Sequence, residues 1–289
     1  MQPISVRALP KVNLTLRILG RRPDGYHELD SLVAFAQDVA DTLTLSPSTT
    51  RIVSTTGPFG SSIAGQNLIS VTLDLIARTA PDLMLGDVHL DKHLPIAAGI
   101  GGGSADAAAL ITAVRRANPQ VSRNVDWSAL ATRIGADVPV CLQSTAQTMR
   151  GIGEQLTNTP IAPLCAVLAN PQVPVPANKT AQVFAKLAAP PLTVAAMTTA
   201  PVAISSRADV LAHMRTTGND LLPAARAVVR VIDDVLSALV ACPKCELAQL
   251  SGGGPTCFGI FPDMDSARAA ASALMQTHPS WWIRASSLS

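Results

Sequence analysis

The sequence predicts an α+β protein of two domains. The chain has 289 residues, which is long for one domain and comfortable for two. Strand-like and helix-like segments are mixed without the regular strand–helix–strand spacing of a parallel α/β sheet. The segment TNTPIAP, at residues 157–163, marks a candidate boundary. We therefore expect one domain over residues 1–158 and a second over residues 159–289.

The composition excludes several classes of protein. Hydrophobic residues make up 48% and charged residues 15%, which is typical of a globular protein. A net charge of +2, without any Lys/Arg-rich block, argues against a nucleic-acid partner. No run of 18 apolar residues predicts a membrane span, and the N-terminal residues lack the pattern of a signal peptide.

The cysteines favour a reducing compartment. The five cysteines are scattered and odd in number, so free thiols in the cytoplasm are the expected state. Cys242 and Cys245 form a CxxC pair, which is found in redox sites and in zinc sites. No second CxxC and no suitably spaced histidine pair accompanies it, so ordinary thiols near a turn are the favoured interpretation.

The first part of the chain has strand patterns that give way to helical ones. Residues 4–19 alternate like a strand that Pro10 interrupts, and a polar turn follows at residues 20–29. Residues 31–47 and 51–57 predict further strands, with a helical alternative left open. The remaining predictions are a helix at 67–80, a strand at 86–98 leading into a glycine loop, a helix at 104–117, and a helix at 126–134 capped by Asp126 and ended by Gly135.

The second part of the chain alternates between strands and helices. The predictions are a strand at 164–170, a proline-rich loop at 171–177, a helix at 180–187, an irregular connection at 188–206, a long helix at 219–240, a strand–glycine turn–strand unit at 245–263, and a last helix at 266–278.

The segment PIAAGIGGGSADAA predicts an anion site at the start of a helix. Four glycines and Ser104 occupy five of the six positions from Gly99 to Ser104. A backbone without Cβ atoms lets N–H groups converge on a ligand, and the positive end of the helix dipole favours a phosphate. Neither a Walker A loop nor a dinucleotide fingerprint fits, because no lysine follows Gly103 and Ser104 stands where a third glycine belongs. A tight turn with Ser104 as N-cap, needing no ligand, remains an alternative.

Three segments together resemble the motifs of the GHMP kinases. They are LPKVNLTLRILGRRPDGYHEL at residues 9–29, PIAAGIGGGSADAA at 95–108 and LSGGGPTCFGIF at 250–261. PKVNLTL, RPDGYHEL and IGADVPVCL further resemble the branch that phosphorylates the 2-hydroxyl of 4-diphosphocytidyl-2-C-methyl-D-erythritol, in the non-mevalonate route to isoprenoid precursors. The resemblance implies a two-domain GHMP kinase fold. It consists of an N-terminal domain like ribosomal protein S5 domain 2 and a ferredoxin-like C-terminal domain.

The same resemblance implies the ligands and the catalytic groups. We expect ATP and Mg²⁺ as cofactors, the cytidyl alcohol as substrate, no nucleic-acid or membrane partner, and a monomer or weak homodimer. Asp137 matches the base that removes the hydroxyl proton, and Lys11 matches the lysine paired with it, whose charge lowers the pKa of the acceptor hydroxyl. The implied ATP-binding residues are Asn67, Lys92, Pro95, Ala97, Ala98, Gly99, Ile100, Gly101, Gly102, Gly103 and Ser104, with Ser104 also a candidate magnesium ligand. For Asp106, a complement to the helix dipole and a metal role both remain open.

The implied substrate-binding residues are Asn13, Tyr26, His27, Phe184, Gly252 and Gly253. The resemblance gives Tyr26 a stacking role on cytosine, His27 a bond to the base edge, and Phe184 the opposite side of the base. A core phenylalanine is the alternative for Phe184. The chain departs from the family where Ala97 and Ala98 stand at frequent glycine positions and Ala105 replaces a frequent serine.

Two other functions remain open from the sequence. A GHMP kinase for another alcohol, of the homoserine or mevalonate type, would share the fold and the glycine loop. Tyr26 and His27 argue against it, because those alcohols carry no base. A nucleotide-binding protein without catalysis is the alternative of a different class, and the presence of Lys11 and Asp137 argues against that.

Overall fold

The structure is a computed structural model that describes residues 2–62, 67–176, 178–193, 204 and 206–289. The chain divides into two compact units. The first comprises Met1–Pro10, Val39–Ile96 and Gly101–Ser144, and the second comprises Lys11–Asp38, Ala97–Ile100 and Thr145–Ser289. Within the described ranges, no helix combines the length and the apolar composition that crossing a lipid bilayer requires.

Both units draw on separated parts of the chain. They therefore differ from the expected segments 1–158 and 159–289, because the strands between residues 11 and 35 and between 147 and 158 group with the C-terminal part. The predicted domain boundary near residue 158 stays a prediction, since compactness and evolutionary domains need not coincide.

The described residues form thirteen strands and nine α-helices, numbered in chain order. The strands are β1 Ile4–Ala8, β2 Lys11–Asn13, β3 Arg17–Arg21, β4 His27–Phe35, β5 Asp41–Pro47, β6 Val53–Thr56, β7 Gly86–Asp91, β8 Gln147–Gly151, β9 Gln155–Asn158, β10 Leu164–Asn170, β11 Leu247–Leu250, β12 Cys257–Phe261 and β13 Trp282–Leu288. The helices are α1 Leu68–Thr79, α2 Gly102–Ala117, α3 Trp127–Ile134, α4 Val138–Gln143, α5 Lys179–Leu187, α6 Arg207–Thr217, α7 Leu222–Val228, α8 Ile232–Val240 and α9 Met264–Thr277.

The first unit is a four-stranded sheet covered by helices. Its strand order is β1–β5–β7–β6, with only the β6–β7 pair parallel. Alternate residues of β5 and β7 are buried, which is the pattern of a sheet with one covered face. Helix α2 packs against β1 and β5, and ten of its sixteen residues are buried. Its alanines let the helix approach the sheet closely, which fixes the helix N-terminus.

The second unit contains two sheets. One joins β2, β3, β4, β8 and β9. The other has the order β11–β12–β10–β13, all antiparallel, with helices between β10 and β11 and between β12 and β13. This is the βαββαβ arrangement, so the ferredoxin-like prediction is confirmed. A buried apolar cluster that includes Phe261, Ile283 and Ile232 lies on this sheet.

Several helices begin and end where the sequence predicts. Asn67 Oδ1 accepts from Ile69 N at 3.0 Å to cap α1, and Asp126 Oδ1 accepts from Ala129 N at 2.9 Å to cap α3. Each cap satisfies a backbone donor that has no intrahelical partner. The helix predicted at 67–80 and the one predicted at 126–134 are thereby confirmed to within a residue.

Two helix predictions need correction. Helix α2 begins at Gly102 with Gly101 as N-cap, at φ 63°, so Ser104 is the third residue of the helix rather than its cap. The helix predicted over 219–240 is two helices, α7 and α8. Val228, Val229, Val231 and Ile232 form a β-branched run across the break, which disfavours continuous helix. Breaking there still buries both Val229 and Ile232.

Other elements escaped the sequence analysis. Helix α4, the hairpin of β8 and β9, and helix α6 were not predicted. Of the predicted irregular connection at 188–206, residues 194–203 and 205 lie outside the described residues.

The side chain of Asn118 holds the C-terminal end of α2, and Asn118→Ala tests how much this contact stabilises the fold. Asn118 Oδ1 accepts from Met84 N at 2.7 Å, and Nδ2 donates to the carbonyls of Met84 and Val114, both at 2.8 Å. Its loss is expected to lower the free energy of unfolding by about 1–2 kcal/mol in urea titrations. The exposed Asn124→Ala should stay within about 0.5 kcal/mol of the parent protein. Equal stability of the two variants would contradict the role of Asn118.

Candidate active site

The glycine loop presents backbone donors at the start of α2. The first intrahelical bond runs from Ala105 N to Gly101 O at 2.8 Å, so the N–H groups of Gly102, Gly103 and Ser104 have no acceptor within the helix. Gly103 is exposed, and the nearest atom to a Cβ built there is Leu68 Cδ2 at 3.9 Å. Loop amides, an open backbone and a helix dipole together suit a phosphate.

A buried lysine lies directly beneath this loop. Lys92 Nζ lies 2.5 Å from Asp41 Oδ2 and 2.6 Å from Asp106 Oδ2, and all three side chains are buried. Asp41 Oδ1 also accepts from the backbone N–H groups of His93 and Leu94, at 2.5 and 2.8 Å. The cluster therefore ties β5, the segment after β7 and the first turns of α2 together.

The electrostatics of this cluster are those of a buried ion triplet. Burial disfavours the charge on Lys92, but Asp106 and Asp41 outweigh it, so the pKa of Lys92 is raised. Burial raises the pKa of Asp106 well above its ordinary value, against the opposing effect of Lys92. Asp106 Oδ1 is buried without a hydrogen-bond partner among the described residues.

These contacts add to two sequence expectations. Lys92 was expected among the ATP-binding residues, and its ammonium binds two carboxylates, so its contact with ATP stays a prediction. For Asp106 a complement to the helix dipole and a metal role were left open, and in the structure its carboxylate accepts from Lys92. Asp41 was missed altogether. The signal was present, because Asp41 shares the buried face of its strand with Leu43 and Leu45, and a carboxylate there needs a partner.

The catalytic candidates lie on defined backbone positions. Lys11 begins β2, is 5% exposed, and donates its backbone N–H to Ile100 O at 2.9 Å. Asp137 is half-buried and precedes α4, and its side chain makes no capping bond to that helix. Lys11 belongs to the second unit and Asp137 to the first, so their pairing stays a prediction.

Asn13 has an unused acceptor beside a glycine. Its Nδ2 donates to Ser31 Oγ at 2.8 Å, which leaves Oδ1 buried and without a partner among the described residues. That oxygen lies 3.5 Å from the Cβ position of Gly252. A buried acceptor of this kind is costly unless a ligand satisfies it, so it fits the expected substrate-binding amide.

The expected base-binding side chains are partly brought together. The rings of His27 and Phe184 have centroids 4.9 Å apart and planes tilted by 31°, although 157 positions separate them in sequence. Tyr26 is 60% exposed. Burial, and then the nearby Arg21 guanidinium, lower the pKa of His27, so its ring is neutral near pH 7. Phe184 also packs against the core of the unit, which fits the alternative of a core phenylalanine, and its place opposite the base stays a prediction.

The third glycine motif holds the first half of the glycine loop. Ser251 Oγ donates to Gly99 O and Thr256 N donates to Ala98 O, both at 3.0 Å. A Cβ on Gly99 would lie 2.6 Å from Ser251 O, so only glycine fits there, at φ 80°. Ala97 adopts a left-handed conformation at φ 53°, at a position where the family frequently has glycine.

Lys179 is a further residue that the sequence analysis missed. It is buried at the start of α5, and its Nζ donates to Ala97 O at 2.9 Å and to Gly254 O. Burial lowers the pKa of Lys179 to about 8. A lysine at the start of a helix, after a proline-rich loop, is typical of a solvent-exposed side chain, so the sequence pattern did not indicate that Lys179 is buried.

The remaining expectations concern a metal and the thiols. Among the described residues, no group of three or more His, Cys, Asp or Glu side chains could hold a metal ion. Magnesium takes few protein ligands when substrate phosphates supply the rest, so the half-buried Ser104 hydroxyl fits such a site.

The side-chain oxygen of Asn67 accepts the capping hydrogen bond of α1, from Ile69 N. The five cysteines are free thiols, and burial raises the pKa of both Cys242 and Cys245.

Sequence models of one class of kinases match two parts of this chain, and one of those parts contains the glycine loop. The sequence model of the GHMP kinases N terminal domain matches residues 67–145, and that of the GHMP kinases C terminal domain matches residues 203–279. The chain belongs to the GHMP kinases, which confirms the predicted two-domain fold and makes it a small-molecule kinase.

Particular relatives match over nearly the whole chain. A protein of Rhodopseudomonas palustris named 4-diphosphocytidyl-2-C-methyl-D-erythritol kinase is 46% identical, over 98% of this chain and 96% of its own length. A crystal structure of 4-(cytidine 5'-diphospho)-2C-methyl-D-erythritol kinase aligns with a TM-score of 0.75 at 31% identity, over 99% of both chains. A homoserine kinase from Cytophaga hutchinsonii shares the fold, with a TM-score of 0.70 at 16% identity, over 99% of this chain and 95% of its own.

The lysine cluster predicts a large effect of Lys92→Met. Removing the ammonium leaves two buried carboxylates without a counter-charge, so the free energy of unfolding should fall by about 3–5 kcal/mol. Asp106→Asn should cost less, because Lys92 then keeps Asp41. Urea titrations measure both, with the exposed Lys186→Met as a control expected within about 0.5 kcal/mol of the parent. A Lys92→Met protein as stable as the control would show that the cluster does not hold the loop.

Proposed function

We propose that this protein transfers the γ-phosphoryl group of ATP to the 2-hydroxyl of 4-diphosphocytidyl-2-C-methyl-D-erythritol, a step in non-mevalonate isoprenoid precursor synthesis. The relatives that bear this activity in their names match nearly the whole chain. The observation that carries the substrate assignment is the ring contact between His27 and Phe184, next to the exposed Tyr26. Aromatic faces and a neutral imidazole suit a nucleobase, whereas homoserine and mevalonate have none.

The residues then divide the work of a phosphoryl transfer, which depends on positioning and charge stabilisation. The orphan N–H groups of Gly102, Gly103 and Ser104 bind phosphate oxygens of ATP, and Ser104 Oγ provides a ligand for magnesium. Magnesium, when bound, neutralises charge on the transferred group. The Lys92 cluster acts indirectly, since it fixes the segment from which those N–H groups point.

The acceptor is oriented by a second set of residues. Tyr26 and Phe184 stack on cytosine, His27 hydrogen-bonds its edge, and Asn13 Oδ1 accepts from a hydroxyl of the alcohol. Gly252 and Gly253 contact the same alcohol, and a Cβ on Gly252 would lie 3.5 Å from Asn13 Oδ1, in van der Waals contact with that oxygen. These contacts hold the 2-hydroxyl in place for deprotonation.

Asp137 accepts the proton of the 2-hydroxyl while the hydroxyl oxygen attacks the γ-phosphorus of ATP. The positive charge of Lys11 stabilises the alkoxide character that develops on that oxygen. Both residues come from the motifs that resemble the family. The burial of Lys11 strengthens such an interaction, because the local dielectric is low. The P–O bond to the leaving ADP breaks as the new one forms, which leaves the phosphorylated alcohol.

Asp137→Asn tests the reaction and its base. Without the carboxylate, ADP formation with the cytidyl alcohol should fall by roughly 10²–10⁴-fold, because a positioned base contributes that much. Coupled-enzyme assays measure ADP, and calorimetry with a non-hydrolysable ATP analogue should give unchanged nucleotide affinity. The exposed Asp82→Asn is the matched control, with full activity expected. Absence of turnover in the parent protein would contradict the proposed function. Full activity of Asp137→Asn would contradict only the role of Asp137 as the base.

Phe184→Leu tests the binding of the base. Leucine keeps the apolar packing of α5 but has no π face, so KM for the cytidyl alcohol should rise about 5- to 150-fold, as expected for stacking worth ~1–3 kcal/mol per base. KM for ATP should stay unchanged. Leu187→Ala on the same helix removes packing without touching the base and should leave both KM values near the parent's. A rise in KM for the alcohol with Leu187→Ala but not with Phe184→Leu would make Phe184 a core residue only.

A further inference from the structure

One buried cation joins two glycine-rich segments that are distant in sequence. Lys179 is 3% exposed, and its Nζ donates to Ala97 O at 2.9 Å and to Gly254 O. Ala97 begins the Ala97–Ile100 segment, 82 positions before Lys179, and Gly254 is the last glycine of the SGGG run in the third motif, 75 positions after it. Within the part of the chain that the structure describes, the other hydrogen bonds between these segments join uncharged groups, Ser251 Oγ to Gly99 O and Thr256 N to Ala98 O.

The charge of Lys179 lacks a counter-ion among the described residues. Burial is the sole cause that lowers the pKa of Lys179 to about 8, and no carboxylate offsets it. On the elements packed around α5, Arg226 of α7 is paired with Asp233 at 2.6 Å, and Lys186 of α5 itself is exposed. Lys92, in contrast, has two carboxylates. A buried and uncompensated ammonium is unfavourable, and an anion bound nearby relieves that cost.

The two carbonyls that Lys179 binds belong to unusual backbone positions. Ala97 has φ 53°, which L-residues rarely adopt, and Gly254 has φ 70°. Such a conformation persists only where the surroundings hold it. The hydrogen bond from Lys179 to Ala97 O is one such restraint, so the lysine sets the path of the chain as it enters the glycine loop.

We propose that Lys179 is a positioning residue for the phosphate groups of the bound substrates. Its buried ammonium fixes the Ala97–Ile100 segment against the turn at residues 251–254, and its positive charge is neutralised when phosphate oxygens bind there. This inference rests on the proposed function, in which both ATP and the cytidyl alcohol carry phosphates.

Steady-state kinetics of Lys179→Met and Lys186→Met test the proposal. KM for at least one phosphate-bearing substrate should rise about 10-fold or more in Lys179→Met, because a charge-assisted interaction is lost. The control on the same helix should match the parent. A higher KM for ATP alone means that Lys179 acts on the phosphates of ATP, and a higher KM for the alcohol alone means that it acts on the diphosphate of the alcohol. A higher KM for both substrates means that it acts on both. Unchanged KM values, with only thermal stability or kcat lowered, would overturn the proposal.

The pH dependence separates this role from a purely structural one. KM of the parent protein should rise between pH 7 and 9.5, as the Lys179 ammonium loses its proton, whereas Lys179→Met should show no such rise. Lys179→Arg stays charged throughout this range and should keep its affinity at pH 9.5. A parent profile that is flat, or one identical in Lys179→Met, would overturn the proposal.

Binding measurements keep this test independent of catalysis. Calorimetry with a non-hydrolysable ATP analogue and with cytidine diphosphate measures the same loss of affinity in Lys179→Met, even if the parent protein does not phosphorylate the cytidyl alcohol. Circular dichroism confirms that each variant is folded. Weaker binding in Lys179→Met together with an inactive parent would support the lysine's role and reject the proposed substrate. Equal binding of both probes would reject the lysine's role whatever the substrate.

Discussion

The geometry of the first unit depends on one buried ammonium. Lys92 lies between Asp41 and Asp106, and Asp41 also holds the two backbone N–H groups that follow Lys92. The strand β5, the entrance to the glycine loop and the first turns of α2 are therefore fixed by a single group of charges. The donors that we propose for phosphate binding are the first N–H groups of α2, so their direction follows from this interaction.

The second unit holds its glycine segments by hydrogen bonds to backbone carbonyls instead of by an ion cluster. Ser251, Thr256 and Lys179 bond the carbonyls of residues 97, 98, 99 and 254, which sets the path of the loop before α2 begins. Lys92 is neutralised by carboxylates and has a structural role. Among the described residues, Lys179 contacts carbonyl dipoles and no carboxylate, and we propose that its charge is neutralised by a bound phosphate. Of these two lysines, Lys92 holds the loop, whereas Lys179 both holds the loop and, in our proposal, favours its ligand.

Local signals predicted much of the fold, and they failed where the contacts are long-range. Asp126 caps the helix that it was expected to cap, because capping depends on neighbouring residues, whereas the cap that Asn67 makes on α1 was not predicted. The break between α7 and α8 lies in a β-branched run and still leaves Val229 and Ile232 buried, and the apolar helical period alone did not reveal it. Lys92 and Asp41 lie 51 positions apart, and Lys179 lies 75 positions from Gly254, so no spacing pattern connects them. The resemblance identified the glycine loop, but not the charges that shape it.

The specificity for a cytidyl alcohol is the claim on which the site residues depend. An aromatic and imidazole pair has no use in a kinase for homoserine or mevalonate, although the fold is shared with such enzymes. The most direct measurement is a competition assay with ATP, magnesium and equal concentrations of 4-diphosphocytidyl-2-C-methyl-D-erythritol, homoserine and mevalonate, read by phosphorus NMR. We expect the phosphate only on the 2-hydroxyl of the cytidyl alcohol. Phosphorylation of homoserine or mevalonate in its place would contradict the assignment.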